Sequence, residues 1–410
     1  MSSSYLKLRH LGLAIGSACG LAAAATGHAA QTYVQPQMDL RVENNSNIDL
    51  DPDGSPDGSV EGYIADLQVL LGYYTQRGET SVRPRLRFQN YPDRDQREKT
   101  EGFLDWVTRY QWERSQFNFI ASYAQEDSFN YDTRSGEFDP LDPTNPLDSG
   151  SGRFLTDETQ TKIEARPSYT FDITQRLSAS FGGQLRSMDY DVDVGEPENV
   201  DYDFWRANAE LGWVLDERSN IGIGGYISQY DVKSDSGDSD GYGIGLNYDH
   251  NWTELMGVEV VLGYEVNDPS DPTPGQGDQK SSSLGGSIAA FGEGELSKWR
   301  VLVGQRYAPN GNGRVRQIDQ LRFQYDRDLT QRLTFRSAAR YESQKQLQAG
   351  IGSDTEDTAR LDLSLRWMLS RKWFVQGGYS YIWQQEAGRD DAYNNRFFLS
   401  GGYRGLARER

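Results

Sequence analysis

From Tyr33 to the C-terminus, segments of about ten residues alternate apolar with polar positions, and turns separate one segment from the next. Leu177, Ala179, Phe181, Gly183 and Leu185 alternate with Arg176, Ser178, Ser180, Gln184 and Arg186. Ala359, Leu361, Leu363, Leu365 and Trp367 alternate with Arg360, Asp362, Ser364 and Arg366. Side chains of a strand point to opposite faces with period two, so each segment predicts a strand with one apolar and one wet face. The pattern predicts strands over 34–43, 63–73 and 82–89, then near 99–111, 115–125, 159–171, 176–188, 201–214, 219–231, 241–251 and 255–266. Further strands are expected near 282–292, 298–308, 316–327, 331–342, 357–369, 372–385 and 395–405. The total is roughly eighteen, an even number, as a bacterial single-chain barrel requires. Sixteen would follow if the first strand and one weak strand near 282–308 were misread. Proline lacks the ladder donor, so Pro36, Pro84 and Pro167 are expected at strand ends or bulges.

Two kinds of connection alternate strictly in this reading. Short turns include Trp112-Glu113-Arg114-Ser115, Thr174-Gln175-Arg176, Asp216-Glu217-Arg218-Ser219, Leu329-Thr330-Gln331-Arg332 and Ser370-Arg371-Lys372. Long acidic connections include 44–60, 126–158, 189–200, 231–240, 267–281, 343–356 and 386–394. Tyr110, Trp112, Trp213, Tyr248, Trp252, Trp299, Trp367 and Trp373 cluster beside the short turns, where an amphipathic ring suits a membrane interface. The fold class expected is all-β: an antiparallel up-and-down transmembrane barrel, apolar outside and wet inside, with short periplasmic turns and long outer loops. A soluble β-sandwich or propeller also alternates, but it does not explain the turn pattern or the aromatic strand ends.

The N-terminus reads as an export signal. Lys7, Arg9 and His10 precede an apolar stretch from Leu11 to Ala25, and Gly27-His28-Ala29-Ala30 offers small residues for cleavage. The expected division is a cleaved signal, 1–30, and a single barrel domain, 31–410, in the outer membrane of a Gram-negative bacterium. Cys19 raises the question of lipidation, but Gly16 stands where a lipoprotein signal needs a branched apolar residue. Cleavage would remove the only cysteine and leave His250 as the one histidine, which excludes disulfides and cysteine–histidine metal centres and leaves little room for histidine catalysis. By parity His250 falls on the lipid side of its strand. No enzyme activity and no cofactor is expected.

The formal charge is −19, and the mature chain carries about −21 once two basic signal residues are gone. So acidic a chain is a poor nucleic-acid binder. The charge is unevenly placed. About nineteen inward positions are basic against about eleven acidic ones, so the wall of the bore leans basic while the outer loops hold the acid. Arg83, Arg85, Arg87, Arg109, Arg166, Arg186, Arg206, Arg322, Arg336, Arg340, Arg360 and Arg366 are the candidate solute path, and Arg41 faces the same way. Rings of arginine favour anions in pores, and the planar fork suits carboxylates and phosphates. The bland alternative is that these arginines satisfy carboxylates of the same wall. Asp49, Asp51 and Asp53 before Gly54 match the opening of a calcium loop, but Val60 occupies the place of the closing glutamate and Glu61 comes one residue late.

With the strands placed, the opening Val34-Gln35-Pro36-Gln37, the run Asn44-Asn45-Ser46-Asn47-Ile48 and turns such as Leu329-Thr330-Gln331-Arg332-Leu333 can be compared with known barrels. Over 31–410 the chain resembles the β-barrel porins of the outer membrane that accompany exopolysaccharide gene clusters. The resemblance implies a conduit for a secreted exopolysaccharide, working with a periplasmic polysaccharide-export protein, and the basic wall makes a hydrophilic, anionic polymer the expected cargo. The other partners expected are membrane lipid, lipopolysaccharide and the barrel-assembly machinery. Such barrels usually end on an aromatic, whereas Tyr403 is followed by Arg404-Gly405-Leu406-Ala407-Arg408-Glu409-Arg410, which reads as a short periplasmic extension. Two other functions fit the same architecture: a general or small-solute, anion-leaning diffusion porin, and a non-conducting surface adhesin.

Overall fold

The computed structural model describes residues 31–48, 50, 59–92, 98–127, 138–139, 142–146, 159–191, 200–233, 238–269, 281–310, 314–346, 355–386, 388, 390–405 and 408–409. The strands are β1 (Gln31–Asn45), β2 (Val60–Tyr74), β3 (Gly78–Asn90), β4 (Lys99–Gln111) and β5 (Ser115–Asp127). A small hairpin, β6 (Phe138–Asp139) and β7 (Asp142–Pro146), separates these from β8 (Thr159–Asp172), β9 (Leu177–Asp191), β10 (Tyr202–Asp216), β11 (Ser219–Val232) and β12 (Ser239–Thr253). Then come β13 (Met256–Pro269), β14 (Ser281–Glu293), β15 (Ser297–Asn310), β16 (Arg314–Asp328) and β17 (Leu333–Gln346). The last are β18 (Thr355–Met368), β19 (Trp373–Glu386), β20 (Ala392–Arg404) and the two-residue β21 (Arg408–Glu409).

Apart from the small hairpin and the tail strand, each strand pairs antiparallel with the next, and β20 pairs with β1, so eighteen strands close into a barrel. Following the ladder once round displaces the register by about 22 residues, which at about 3.3 Å per residue and about 4.8 Å between strands gives a tilt of about 40° and a backbone radius of about 18 Å.

Parity decides the faces. Leu40, Val42, Phe181, Leu185, Ile244, Leu246, Leu262, Ile288, Leu361, Leu365, Phe397 and Leu399 all stand exposed on the outside, an arrangement that only lipid makes favourable. At the short-turn end the belt gives way to rings. Tyr110 packs on Trp112 at 4.5 Å between centroids, Trp373 on Tyr403 at 5.0 Å, and His250 lies between Tyr248 and Trp252 at 6.2 and 6.3 Å. His250 is thus on the outer face, as parity required, and part of the aromatic girdle.

Three of the short turns are each shaped by one hydroxyl. Thr174, Thr330 and Ser370 accept hydrogen bonds from the backbone N–H groups two and three residues on, at 3.0–3.2 Å, so that the chain reverses in four residues. The inward wall has its own regularity. Gly224, Gly245, Gly263 and Gly285 oppose one another in turn across β11, β12, β13 and β14 and leave a row of bare backbone on the bore. Buried apolar clusters sit only at the outer mouth among the described residues: Met188, Tyr190, Tyr202, Phe204, Tyr230 and Val232 on one side, and Ile48, Leu50, Val60, Tyr91, Ile382 and Ala392 near the closing seam. Tyr91 donates to Glu43 at 2.7 Å, and burial together with that carboxylate holds its hydroxyl well above the usual phenol range.

The seam between β1 and β20 has nine registered pairs, Gln37–Asn45 against Arg396–Arg404. Both ends are extended. At the outer end Ser46 and Asn47 bond to Tyr393, Asn394 and Asn395, and Leu50 takes a left-handed φ of 50° with its side chain buried. At the other end Gly405 N–H donates to Pro36 O at 2.7 Å, and Arg408 and Glu409 pair with Val34 and Tyr33.

The expected strands are all present, and the first strand and the region 282–308 belong to the barrel, so the sixteen-strand alternative is set aside. Two expectations need correction. Pro84 and Pro167 lie inside β3 and β8; each interrupts its ladder locally while the register is the same on both sides. The connections do not alternate strictly, because β15 ends at Asn310 and β16 begins at Arg314, a short link among the outer connections. The tail stays at the short-turn end, where its described residues Arg408 and Glu409 pair with β1. Residues 1–30, Asp49, Asp51 and Asp53 lie outside the described residues. Among those described, no group of three or more His, Cys, Asp or Glu is placed to hold a metal.

Candidate functional site

The strand register lines the bore with the inward arginines from the outer strand ends to the short-turn ends, and most of them meet carboxylates. Arg83 holds Asp105 through Nε at 3.0 Å and Nη2 at 2.8 Å. Arg85 and Arg87 share Asp66 at 2.8 and 3.0 Å, and Arg87 continues to Glu101 at 3.1 Å. Glu164 gathers Lys162 at 3.1 Å, Arg186 at 3.5 Å, and Arg166. Arg322 reaches Glu342 at 3.0 Å, and Arg340 bonds the same carboxylate. Arg360 is bidentate on Asp362 at 2.6 and 3.0 Å, while Arg336 stands 3.7 Å from Asp326, half exposed. Arg109 faces Glu79 directly across the β3–β4 ladder. Arg300 with Glu259 at 2.6 Å and Arg316 with Glu356 at 3.1 Å add two pairs that were not singled out from the sequence. A guanidinium fixed on a carboxylate presents little net field beyond the pair, so the one-to-one pairs are structural wall, while Glu164 with three cations and Glu342 with two leave a positive excess.

Three arginines behave differently. Arg41, Arg206 and Arg366 have no carboxylate within 4.0 Å among the described residues and lie over aromatic rings instead. Arg206 is 4.2 Å from the centroid of Tyr226, Arg366 is 4.5 Å from Phe374, and Arg41 is 4.7 Å from Phe398. The arginines that do have carboxylates stand farther from their rings: Arg85 and Arg87 at 5.1 and 5.2 Å from Phe103, and Arg300 at 5.9 Å from Phe291. Arg366 also donates Nε to Gln376 at 2.8 Å. A cation over a ring face is attracted by the quadrupole and keeps its charge, because no anion cancels it. Arg206 and Arg366 were expected in the path. Arg41 was read as inward but not selected, since its lack of an acid partner follows from the β1–β20 register and from no local signal.

A closed barrel of eighteen strands with an apolar outer belt, an aromatic girdle and a charged bore is an outer-membrane β-barrel of porin architecture. No family model and no curated protein matches the sequence. Solved structures similar to it include the Pseudomonas aeruginosa protein OccK2 (OpdF) in complex with glucuronate, with TM-score 0.49 and 12% identity over 92% of this chain and 98% of that one. Others are Acinetobacter baumannii OccAB3, with TM-score 0.47 and 10% identity over 91% and 99%, and P. aeruginosa OpdK with vanillate, with TM-score 0.46 and 11% identity over 92% and 99%. At such identities no residue's role passes from those proteins to this chain.

Proposed function

We propose that the barrel is a passive diffusion pore for small hydrophilic solutes, with a preference for anions. The observation that carries this reading is the set of three bore arginines, Arg41, Arg206 and Arg366, whose charge no carboxylate within 4.0 Å cancels. Most other bore arginines meet carboxylates, with a cation excess at Glu164 and Glu342, so a solute meets a few weak positive stations in a hydrated bore and can leave them. No bond-making chemistry belongs to this reading. Planar-bilayer recordings across a KCl gradient test it: the reversal potential should report chloride passing more readily than potassium, and cation preference overturns it.

A second reading, outward passage of an anionic exopolysaccharide with a periplasmic export protein as partner, draws on the width of the bore. A backbone radius of about 18 Å leaves room for a hydrated polymer beside the inward arginines. Deletion of the gene separates the two: loss of surface polysaccharide with unchanged small-anion uptake favours export, and the reverse favours diffusion.

A further inference from the structure

The three ring-supported arginines share one construction. Arg206 directly opposes Ser228, and Tyr226 lies two residues before Ser228 on β11. Arg366 opposes Gln376, and Phe374 lies two residues before Gln376 on β19. Arg41 opposes Ser400, and Phe398 lies two residues before Ser400 on β20. Each arginine thus reaches its ring on the same diagonal, a contact that long side chains make across a twisted antiparallel pair. On the far side of each ring the opposing residue is a glycine: Gly243 for Tyr226, Gly402 for Phe374 and Gly378 for Phe398. A Cβ at any of these glycines would come within 3.0 Å of the ring, so only glycine lets the ring lie flat against the wall.

We propose that Tyr226, Phe374 and Phe398, with their glycine seats, are positioning residues that hold Arg206, Arg366 and Arg41 as three stations for passing oxyanions such as carboxylates and phosphates. This rests on the anion-leaning reading above. Acids are within reach of these arginines. Asp39 interacts electrostatically with both Arg41 and Arg366, and Glu265 bonds the same Tyr226 over which Arg206 lies. Stacking one face of the guanidinium on a ring restrains it from turning onto those acids and leaves its N–H edge, the part that matches an oxyanion, toward the bore. The ring keeps the cation available; without it, the arginine joins the neutralised wall.

Three purified full-length variants test this, each checked for barrel folding by heat-modifiable gel mobility. They are the triple exchange of Arg41, Arg206 and Arg366 to Gln, the triple exchange of Tyr226, Phe374 and Phe398 to Leu, and the aromatic-preserving triple Tyr226→Phe, Phe374→Tyr, Phe398→Tyr. The chloride-to-potassium permeability ratio is read from the reversal potential, and block of conductance by inorganic phosphate is read in parallel. The leucine variant retains every arginine, yet its ratio should fall by about twofold or more, toward that of the glutamine variant, while the aromatic-preserving variant keeps the native ratio. If the glutamine variant loses preference and the leucine variant keeps it, the positioning role is overturned and the anion pore stands. If the glutamine variant keeps the native ratio, both are overturned. Should the leucine triple fail to fold, the single exchange Phe374→Leu and the seat exchange Gly378→Ala carry the same expectations.

Discussion

Ser46 and Asn395 exchange hydrogen bonds across the outer end of the closing seam: Ser46 N–H donates to Asn395 O at 3.0 Å, and Asn395 N–H donates to Ser46 Oγ at 2.8 Å. The seam has fewer registered pairs than neighbours such as β1–β2, so these end contacts fasten it where it is shortest. Ser46→Ala should lower barrel stability by about 1 kcal/mol, one hydrogen bond's worth. Deleting 405–410 should lower the temperature at which compact gel mobility is lost, and the two effects should add, because they act at opposite ends of the seam. An unchanged transition in the deletion would show that the tail does not hold β1.

Glu164 holds three cations with only 4% of its surface exposed. Glu164→Gln keeps the shape and removes the charge they share. The expected result is a loss of about 3 kcal/mol in urea unfolding from lipid vesicles, because a buried ion cluster loses its common partner. The reversal potential should move toward stronger anion preference at the same time. A move toward cations would contradict the inward placement of Lys162, Arg166 and Arg186.

Ile244 stands on the outer face of β12, 59% exposed in the absence of lipid. Ile244→Arg should lower stability by about 2–4 kcal/mol if that face meets the middle of the bilayer. Asn208→Lys on the inward face of β10 should leave stability nearly unchanged and shift ion selectivity. Equal effects at the two sites would mean the faces are misassigned.

The glycine row leaves space. A Cβ on Gly263 would meet nothing closer than 3.3 Å, and one on Gly285 nothing closer than 3.5 Å. Gly263→Ala should therefore fold and conduct like the native protein. Gly263→Trp should fold and lower single-channel conductance, since its bulk enters the bore. Native conductance in the tryptophan variant would place the current path elsewhere.

The strands were legible because lipid on one side and water on the other impose period two on every segment; β4 runs over the expected 99–111. The inward direction of Arg83, Arg85 and Arg87 was legible for the same reason. Their neutralisation was not, because it depends on Asp66, Asp105 and Glu101 arriving opposite, and register is a property of strand pairs. The support of Arg41 is the extreme case: its ring, Phe398, lies on the last barrel strand and its glycine seat on β19. The pairing of the tail was not legible because its partner is the first strand, at the other end of the described chain. The prolines were misplaced because a barrel ladder with continuous pairing on either side absorbs a missing donor without shifting.

The link between Asn310 and Arg314 has a consequence for approach from outside. The other outer connections are longer, and the acidic excess of the sequence is concentrated in them. Between β15 and β16 only three residues intervene, and Arg316, paired with Glu356, lies near the outer end of β16. On the proposed anion-leaning reading, the connection 311–313, which carries no acidic residue, is the least repulsive approach for a solute, off-centre and on the side of β16.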